Sequence, residues 1–182
     1  LGLVGWSPGT EQEIFSLENF IKQFNLEKIH KAGARFDYDK AKWFNQHYII
    51  HSQNEDLALS IQPEVQQKFD MSYSQEYLSG VCALMKERVH LLPEITEKGN
   101  FFFSDIFDYD LETAKQKWNT ETPAHLENIA RLISENFESC ESLIKLYIKE
   151  QNLKMGEILP LMRIALSGTV QGPDLFGSIH IL

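Results

Sequence analysis

Apolar residues recur at steps of three and four along most of this chain, which is the spacing of one face of an α-helix. The clearest stripe precedes Pro93 and is made by Leu78, Val81, Cys82, Met85 and Val89. Alternating β-branched residues, which favour strands, never continue beyond a few positions. The pattern predicts an all-α fold, a helical bundle or cage of about eight to ten helices of ordinary length.

Capping residues predict where the first helices begin. Thr10 is followed three positions later by Glu13, as in a capping box, and Ser16 is an alternative cap for a later start. The periodicity then lapses into a turn around Gly33, and Asp39 is the predicted cap of the next helix. The first 50 or so residues are therefore expected to hold two helices.

Pro63 predicts the first domain boundary, because proline lacks a backbone donor and disfavours helical geometry in the residue before it. We therefore expect one region over residues 1–63 and another over 64–182. The second region is open to a further division near residues 118–123, where Thr122 and Pro123 predict a new helix start.

Turn residues predict where several elements in the second half of the chain begin and end. The aromatic run "GNFFFSDIFDYD" is expected to form a helical turn or short loop that packs on the core. Gly168 follows an apolar helix where a left-handed closing residue is favoured. A last helix is predicted to restart at Pro173.

Composition restricts the class of protein. The 182 residues are 43% hydrophobic and 24% charged, and no apolar run is long enough to cross a bilayer. The net charge of −9 argues against a non-specific polyanion binder but leaves room for a local basic face. The two cysteines, Cys82 and Cys140, are expected to be buried and reduced rather than paired.

Both ends of the sequence have the character of cut sites. No initiator methionine precedes "LGLVGW", the chain stops in the apolar "SIHIL", and no signal-peptide pattern is present. We therefore expect the chain to be a piece of a longer protein.

Candidate catalytic and metal-binding groups are few. His47 and His51 have a spacing that can hold a metal, but a third ligand is missing nearby. The carboxylates of Asp105, Asp108 and Asp110 fit helix capping better than acid–base catalysis. The sequence has no Walker A loop, G-x-S-x-G or G-x-G-x-x-G, so a free-standing enzyme has no motif to support it.

Arg163 is the most informative polar residue, because it is one of only four arginines and lies in the apolar helix "LMRIAL". One reading is a salt bridge to a glutamate; the other is a planar fork that binds a base edge or a phosphate. Gly172 and Pro173 favour the second reading, because a helix start has free backbone N–H groups. Leu175 and Phe176, expected to be exposed, are placed to support an unstacked base.

Several segments together resemble the bacterial glutamyl-tRNA synthetase family, in the same order along the chain. These are Gly5-Trp6-Ser7-Pro8, "EIFSLE" at 13–18, "KWFNQHYI" at 42–49 and "LMRIALSGTVQGPDLF" at 161–176. The likeness runs nearly from end to end and corresponds to the part of the family that follows its catalytic half.

The resemblance implies a non-catalytic piece of a class I aminoacyl-tRNA synthetase. The family's HIGH-like and KMSK-like motifs are absent here, so ATP and Mg are expected to bind the parent enzyme, with no cofactor in this fragment. Residues 1–63 are then a stem-contact region and residues 64–182 an α-helical anticodon-binding region. The implied partner is tRNA(Glu), with neither DNA nor membrane, and the parent is expected to be a cytoplasmic monomer.

The resemblance also assigns site residues by position. The family's anticodon-reading segment corresponds to Arg163, Gly172, Pro173, Leu175 and Phe176. Arg88 corresponds to an arginine that discriminates the last anticodon base in some members.

Six further positions bear on this assignment. Asp174 and Gly177 depart from the family pattern, while Ser167 replaces the usual threonine. Stem-contact positions fall on Trp43, Asn45 and Tyr48, for which packing of their own helix is the alternative. The competing hypothesis for the whole chain is a helical protein-interaction module with a groove at Leu175 and Phe176.

Overall fold

The structure is a computed structural model that describes residues 4–30 and 35–182, so the turn predicted at Gly33 lies outside the described residues. Within those ranges it is built of helices and turns, with one isolated antiparallel bridge between Trp6 and Ile29. The all-α prediction is confirmed. The ten α-helices of the described ranges are α1 Leu17–Gln23, α2 Tyr38–His51, α3 Asn54–Phe69, α4 Gln75–Met85, α5 Pro93–Lys98, α6 Leu111–Lys117, α7 Thr122–Glu135, α8 Cys140–Glu150, α9 Met155–Ser167 and α10 Leu175–Ile181.

Helix α1 begins at the later of the two predicted starts. The hydroxyl of Ser16 accepts the backbone N–H of Asn19 at 3.2 Å and caps the helix. Thr10 instead accepts the N–H of Gln12, which makes a local turn, so the start at Thr10 was wrong. Four aromatic rings cluster beside α1, where the buried Trp6 contacts Phe15, Phe20 and Phe24.

Helix α2 is capped by Asp37, whose carboxylate accepts the N–H of Lys40 at 3.0 Å, so the predicted cap at Asp39 was two residues late. The helix ends at His51 and a short link leads into α3. Asn45 donates to the backbone oxygen of His90, which ties α2 to the segment after α4.

Pro63 does not end a helix, and the predicted break there was wrong, because α3 continues through it to Phe69. The missing proline N–H leaves the carbonyl of Leu59 without its helical partner, but Leu59 and Pro63 both face solvent, where water can satisfy that oxygen. The opposite face packs on α4 and holds the helix together. The break between helices falls at residues 52–53, and the division of function at residue 63 stays a prediction.

The residues that the structure describes form two hydrophobic cores. The first is formed mainly by α3, α4 and α5 and is closed by the aromatic side chains of Phe101, Phe102 and Phe103, as predicted for that run. The second is formed by α7, α8, α9 and α10 around Ile144 and Ile148. The division predicted near residues 118–123 lies between these cores in sequence and stays a prediction.

Helix α10 joins the two cores through close packing on α4. A Cβ atom added to Gly80 would lie 3.0 Å from Cδ1 of Ile181, and one added to Gly177 would lie 2.8 Å from Cδ2 of Leu84. Only glycine permits this approach without a shift of the neighbouring side chain. The contact brings the start of α10 beside the C-terminal end of α4, and therefore beside Arg88.

Candidate functional site

Arg163 lies on the last turns of α9 and is half-buried. Its Nη1 donates a hydrogen bond to the carbonyl oxygen of Pro173. The guanidinium lies over Gly172, where an added Cβ would be 3.2 Å from Nη1. In residues 4–30 and 35–182 Arg163 forms no salt bridge, so the salt-bridge reading of this residue was wrong.

A second arginine, Arg88, influences the charge of the Arg163 guanidinium. Burial lowers the pKa of Arg163, and the positive charge of Arg88 lowers it further, while the carboxylate of Asp174 opposes both. Arg88 ends the 3₁₀ turn Lys86–Arg88 after α4 and is exposed. The positive charge of Arg88 therefore acts on the Arg163 guanidinium, and the carboxylate of Asp174 offsets part of it.

The start of α10 disfavours a phosphate, as expected from the presence of Asp174 next to Pro173. Asp174 caps this helix, and its carboxylate accepts the backbone N–H of Gly177 at 2.6 Å. A carboxylate at this point repels a phosphate, so the free N–H groups expected after Pro173 do not make an anion site. A base edge remains compatible with the geometry, because the Arg163 fork faces this turn.

The expectation that Leu175 and Phe176 are exposed was wrong. Their exposed fractions are 4% and 7%, and both belong to the second core. Once Asp174 caps α10, the apolar face of this short helix turns inward against α7, α8 and α9. The two residues anchor the helix that carries the site, and the competing peptide groove has no open surface to use. Their assignment to RNA binding stays a prediction.

The loop from Ser104 to Asp110 covers the end of α9. The backbone N–H of Asp110 donates to the oxygen of Gly168 at 2.8 Å, and an added Cβ at Gly168 would lie 2.5 Å from the carbonyl oxygen of Asp108. Gly168 has φ of +77° and ends α9 in the left-handed conformation, as predicted. Between these contacts, the ring of Phe107 is 90% exposed.

Sequence reasoning missed Phe107, because the aromatic run was predicted to pack as a whole. Only its first three rings are buried. The available signal was the charge close to Phe107 in sequence, since Asp108 follows it directly, Asp105 precedes it by two residues, and aspartate is rarely buried. The capping role is confirmed for Asp110, which accepts the N–H of Thr113 at 2.9 Å and whose pKa those hydrogen bonds lower.

The remaining candidates are placed as follows. His47 and His51 stack on each other at 4.1 Å between ring centroids, and His51 Nδ1 lies 2.7 Å from the oxygen of His47. The described residues contain no group of three metal-ligating side chains. Trp43 and Tyr48 are about half exposed, so packing does not account for their whole surface.

Both cysteines are buried and free, as expected. Across residues 4–30 and 35–182, none of the helices combines the length and the apolar character that crossing a bilayer requires.

The fold defines a class of protein: an all-helical domain whose described residues form two cores, with the Arg163 guanidinium hydrogen-bonded to the turn between α9 and α10. Residues 52–182 match the model of the family described as "Anticodon binding domain". This match covers more than half of the chain, and the chain belongs to that family.

Relatives and solved structures agree with this assignment. The chain is 37% identical over 186 residues to "Glutamate--tRNA ligase" of Amoebophilus asiaticus and 36% identical to that of Flavobacterium johnsoniae. All of this chain is aligned in both cases, but it spans only 36% and 37% of those relatives.

A crystal structure of a glutamate tRNA ligase from Elizabethkingia meningosepticum, in complex with its amino acid, superposes with a TM-score of 0.89 at 33% identity. It covers 98% of this chain, which corresponds to 36% of that protein. The glutamate-tRNA synthetase of Elizabethkingia anophelis gives a TM-score of 0.86 at 34% identity, with the same coverage.

Proposed function

We propose that this chain binds the anticodon loop of tRNA(Glu) as the non-catalytic part of a glutamate–tRNA ligase. The family match supports anticodon binding, and the named relatives support the choice of tRNA. In this proposal the remaining two-thirds of such a protein bind ATP and Mg and ligate glutamate, while residues 1–63 of this chain contact the stem. The parent acts as a cytoplasmic monomer without DNA or membrane partners.

One observation carries the proposal: the half-buried Arg163 guanidinium is hydrogen-bonded to the turn before α10, where the charge of Arg88 acts on it, and it lacks a carboxylate partner in the described ranges. A guanidinium has five N–H donors, and the Pro173 carbonyl takes a hydrogen bond from only one nitrogen. The other donors can meet the acceptors of an unstacked base. Partial burial strengthens such hydrogen bonds, because less water screens them.

Selection among RNA loops then depends on base edges more than on phosphates. The net charge of −9 and the carboxylate of Asp174 disfavour indiscriminate phosphate binding. Arg88 is exposed and free to approach the neighbouring nucleotide, which fits its assignment to the last anticodon base.

The test uses the 182-residue chain and an RNA hairpin that carries the tRNA(Glu) anticodon loop. Arg163→Lys keeps the charge but loses the planar fork, and we expect it to weaken binding on the order of ten-fold. Arg131→Lys is the matched control, because Arg131 is exposed on α7 and its guanidinium bonds only to Asn128 in the described structure. Equal affinities for wild type and Arg163→Lys would contradict the proposed role.

A further inference from the structure

Phe107 is the most exposed large hydrophobic residue in the described ranges, at 90%. The next most exposed, Leu17 and Tyr38, reach 75%. A ring so open contributes almost nothing to burial, so the fold does not need it. Single exposed apolar residues are ordinary on protein surfaces, so exposure alone does not define a site.

The backbone that carries this ring is held firmly. Ile106 packs against the first core, and its Cγ2 would lie 2.9 Å from a Cβ added to Gly168. The carbonyl oxygen of Asp108 approaches the same glycine, and the N–H of Asp110 bonds to its oxygen. The ring is therefore displayed from a fixed support rather than carried on a loose loop.

The loop that carries Phe107 rests on the C-terminal end of α9, the helix that contains Arg163. Ser167, next to Gly168, donates its hydroxyl to the carbonyl oxygen of Arg163 at 3.0 Å, one turn back along α9. The loop of Phe107 and the Arg163 guanidinium are thus fixed to the same two turns of helix.

The charges around the ring decide its ligand. Asp105 and Asp108 flank Phe107 and are both exposed, so a phosphate is repelled from this loop. The face of an unstacked base is uncharged and stacks on an aromatic ring with little dependence on base identity. We infer that Phe107 stacks on an unpaired base of the same RNA loop that Arg163 binds, an inference that rests on the proposed function.

The experiment places 2-aminopurine at each loop position of the tRNA(Glu) hairpin in turn and measures its fluorescence and affinity with the 182-residue chain. Phe107→Ala should weaken binding on the order of ten-fold and remove the fluorescence change at one position, whereas Phe107→Trp should retain both. Because the ring has so little buried surface, the alanine variant should fold normally. Phe137→Ala is the control, since Phe137 is an exposed ring, at 43%, that contacts His180 at the far end of α10.

Salt dependence separates stacking from charge effects. The slope of log affinity against log salt should be the same for wild type and Phe107→Ala, but shallower for Arg88→Gln. Wild-type affinity of Phe107→Ala, together with a weakened Arg163→Lys, would overturn this inference and leave the proposed function standing. If the wild-type chain failed to bind the hairpin, both this inference and the proposed function would be contradicted. An altered salt slope in Phe107→Ala would rule out base stacking.

Discussion

The guanidinium of Arg163 donates a hydrogen bond to the carbonyl oxygen of Pro173, ten residues further along the chain. This contact crosses the turn between α9 and α10 and holds the side chain where the two cores meet. The arginine is therefore oriented before any ligand arrives, which reduces the entropy lost on binding.

Gly172 should be intolerant of a side chain. Its φ of +153° is rarely adopted by other residues, and an added Cβ would lie 3.2 Å from Nη1 of Arg163. We expect Gly172→Ala to lower the free energy of unfolding by about 1 kcal/mol or more and to weaken RNA binding by displacing the guanidinium. Urea unfolding and hairpin affinity measure the two effects.

Gly156 provides the matched control for this substitution. It lies in the first turn of α9, and nothing is within 4 Å of its added Cβ. Gly156→Ala should raise stability by up to about 1 kcal/mol, since alanine is the better helix former, and leave RNA binding unchanged. Equal behaviour of the two alanine variants would show that Gly172 has no special role.

Asp174 should restrain RNA binding while it supports the fold. Asp174→Asn keeps an oxygen that can cap α10 but removes the negative charge beside Arg163, so we expect higher affinity for the hairpin at nearly unchanged stability. Asp174→Ala should lose about 1 kcal/mol of stability with the cap. Unchanged or lower affinity of the asparagine variant would refute the electrostatic part of this prediction.

The α4–α10 contact should couple stability to binding. Gly177→Ala places a Cβ 2.8 Å from Leu84, and we expect a loss of about 1–3 kcal/mol in unfolding free energy and a weaker RNA complex. Leu84→Ala opens the space that the new methyl group needs. In a double-mutant cycle the second substitution should rescue much of the first, and simple additivity would count against direct packing here.

Stability should fall in alkaline solution because of two groups in the first core. Burial raises the pKa of Cys82 from 9.0 to about 12, and burial together with Tyr73 raises that of Tyr77 from 10.0 to about 12. The folded state therefore keeps protons that the unfolded state releases, so this stability is complete below pH 9 and is lost as pH rises towards 12. Urea unfolding at increasing pH measures the slope, which should be smaller in Cys82→Ala.

Features set by local physics were predictable from sequence. Gly168 closes α9 because glycine adopts positive φ at little cost, and the period of three and four located the core helices. The sequence alone did not show which candidate residue caps each of the first two helices. The side chains of Ser16 and Asp37, rather than those of Thr10 and Asp39, accept the N-terminal N–H groups of α1 and α2.

The candidate site was predictable only in part. Arg163 was conspicuous as a charge in an apolar helix, but its partner Pro173 and its neighbour Arg88 depend on the close approach of α10 to α4. Leu175 and Phe176 are buried in the second core, and their spacing alone does not reveal that this face of α10 turns inward. The continuation of α3 through Pro63 could be predicted only with the knowledge that the unpaired carbonyl of Leu59 faces solvent.

The most direct measurement compares the affinity of the 182-residue chain for two hairpins with one stem: the tRNA(Glu) anticodon loop, and the same loop with its three anticodon bases replaced. Base reading through Arg163 and Arg88 predicts that the first binds at least on the order of ten-fold more tightly. Equal affinity for the two hairpins would contradict the claim that this chain reads the anticodon.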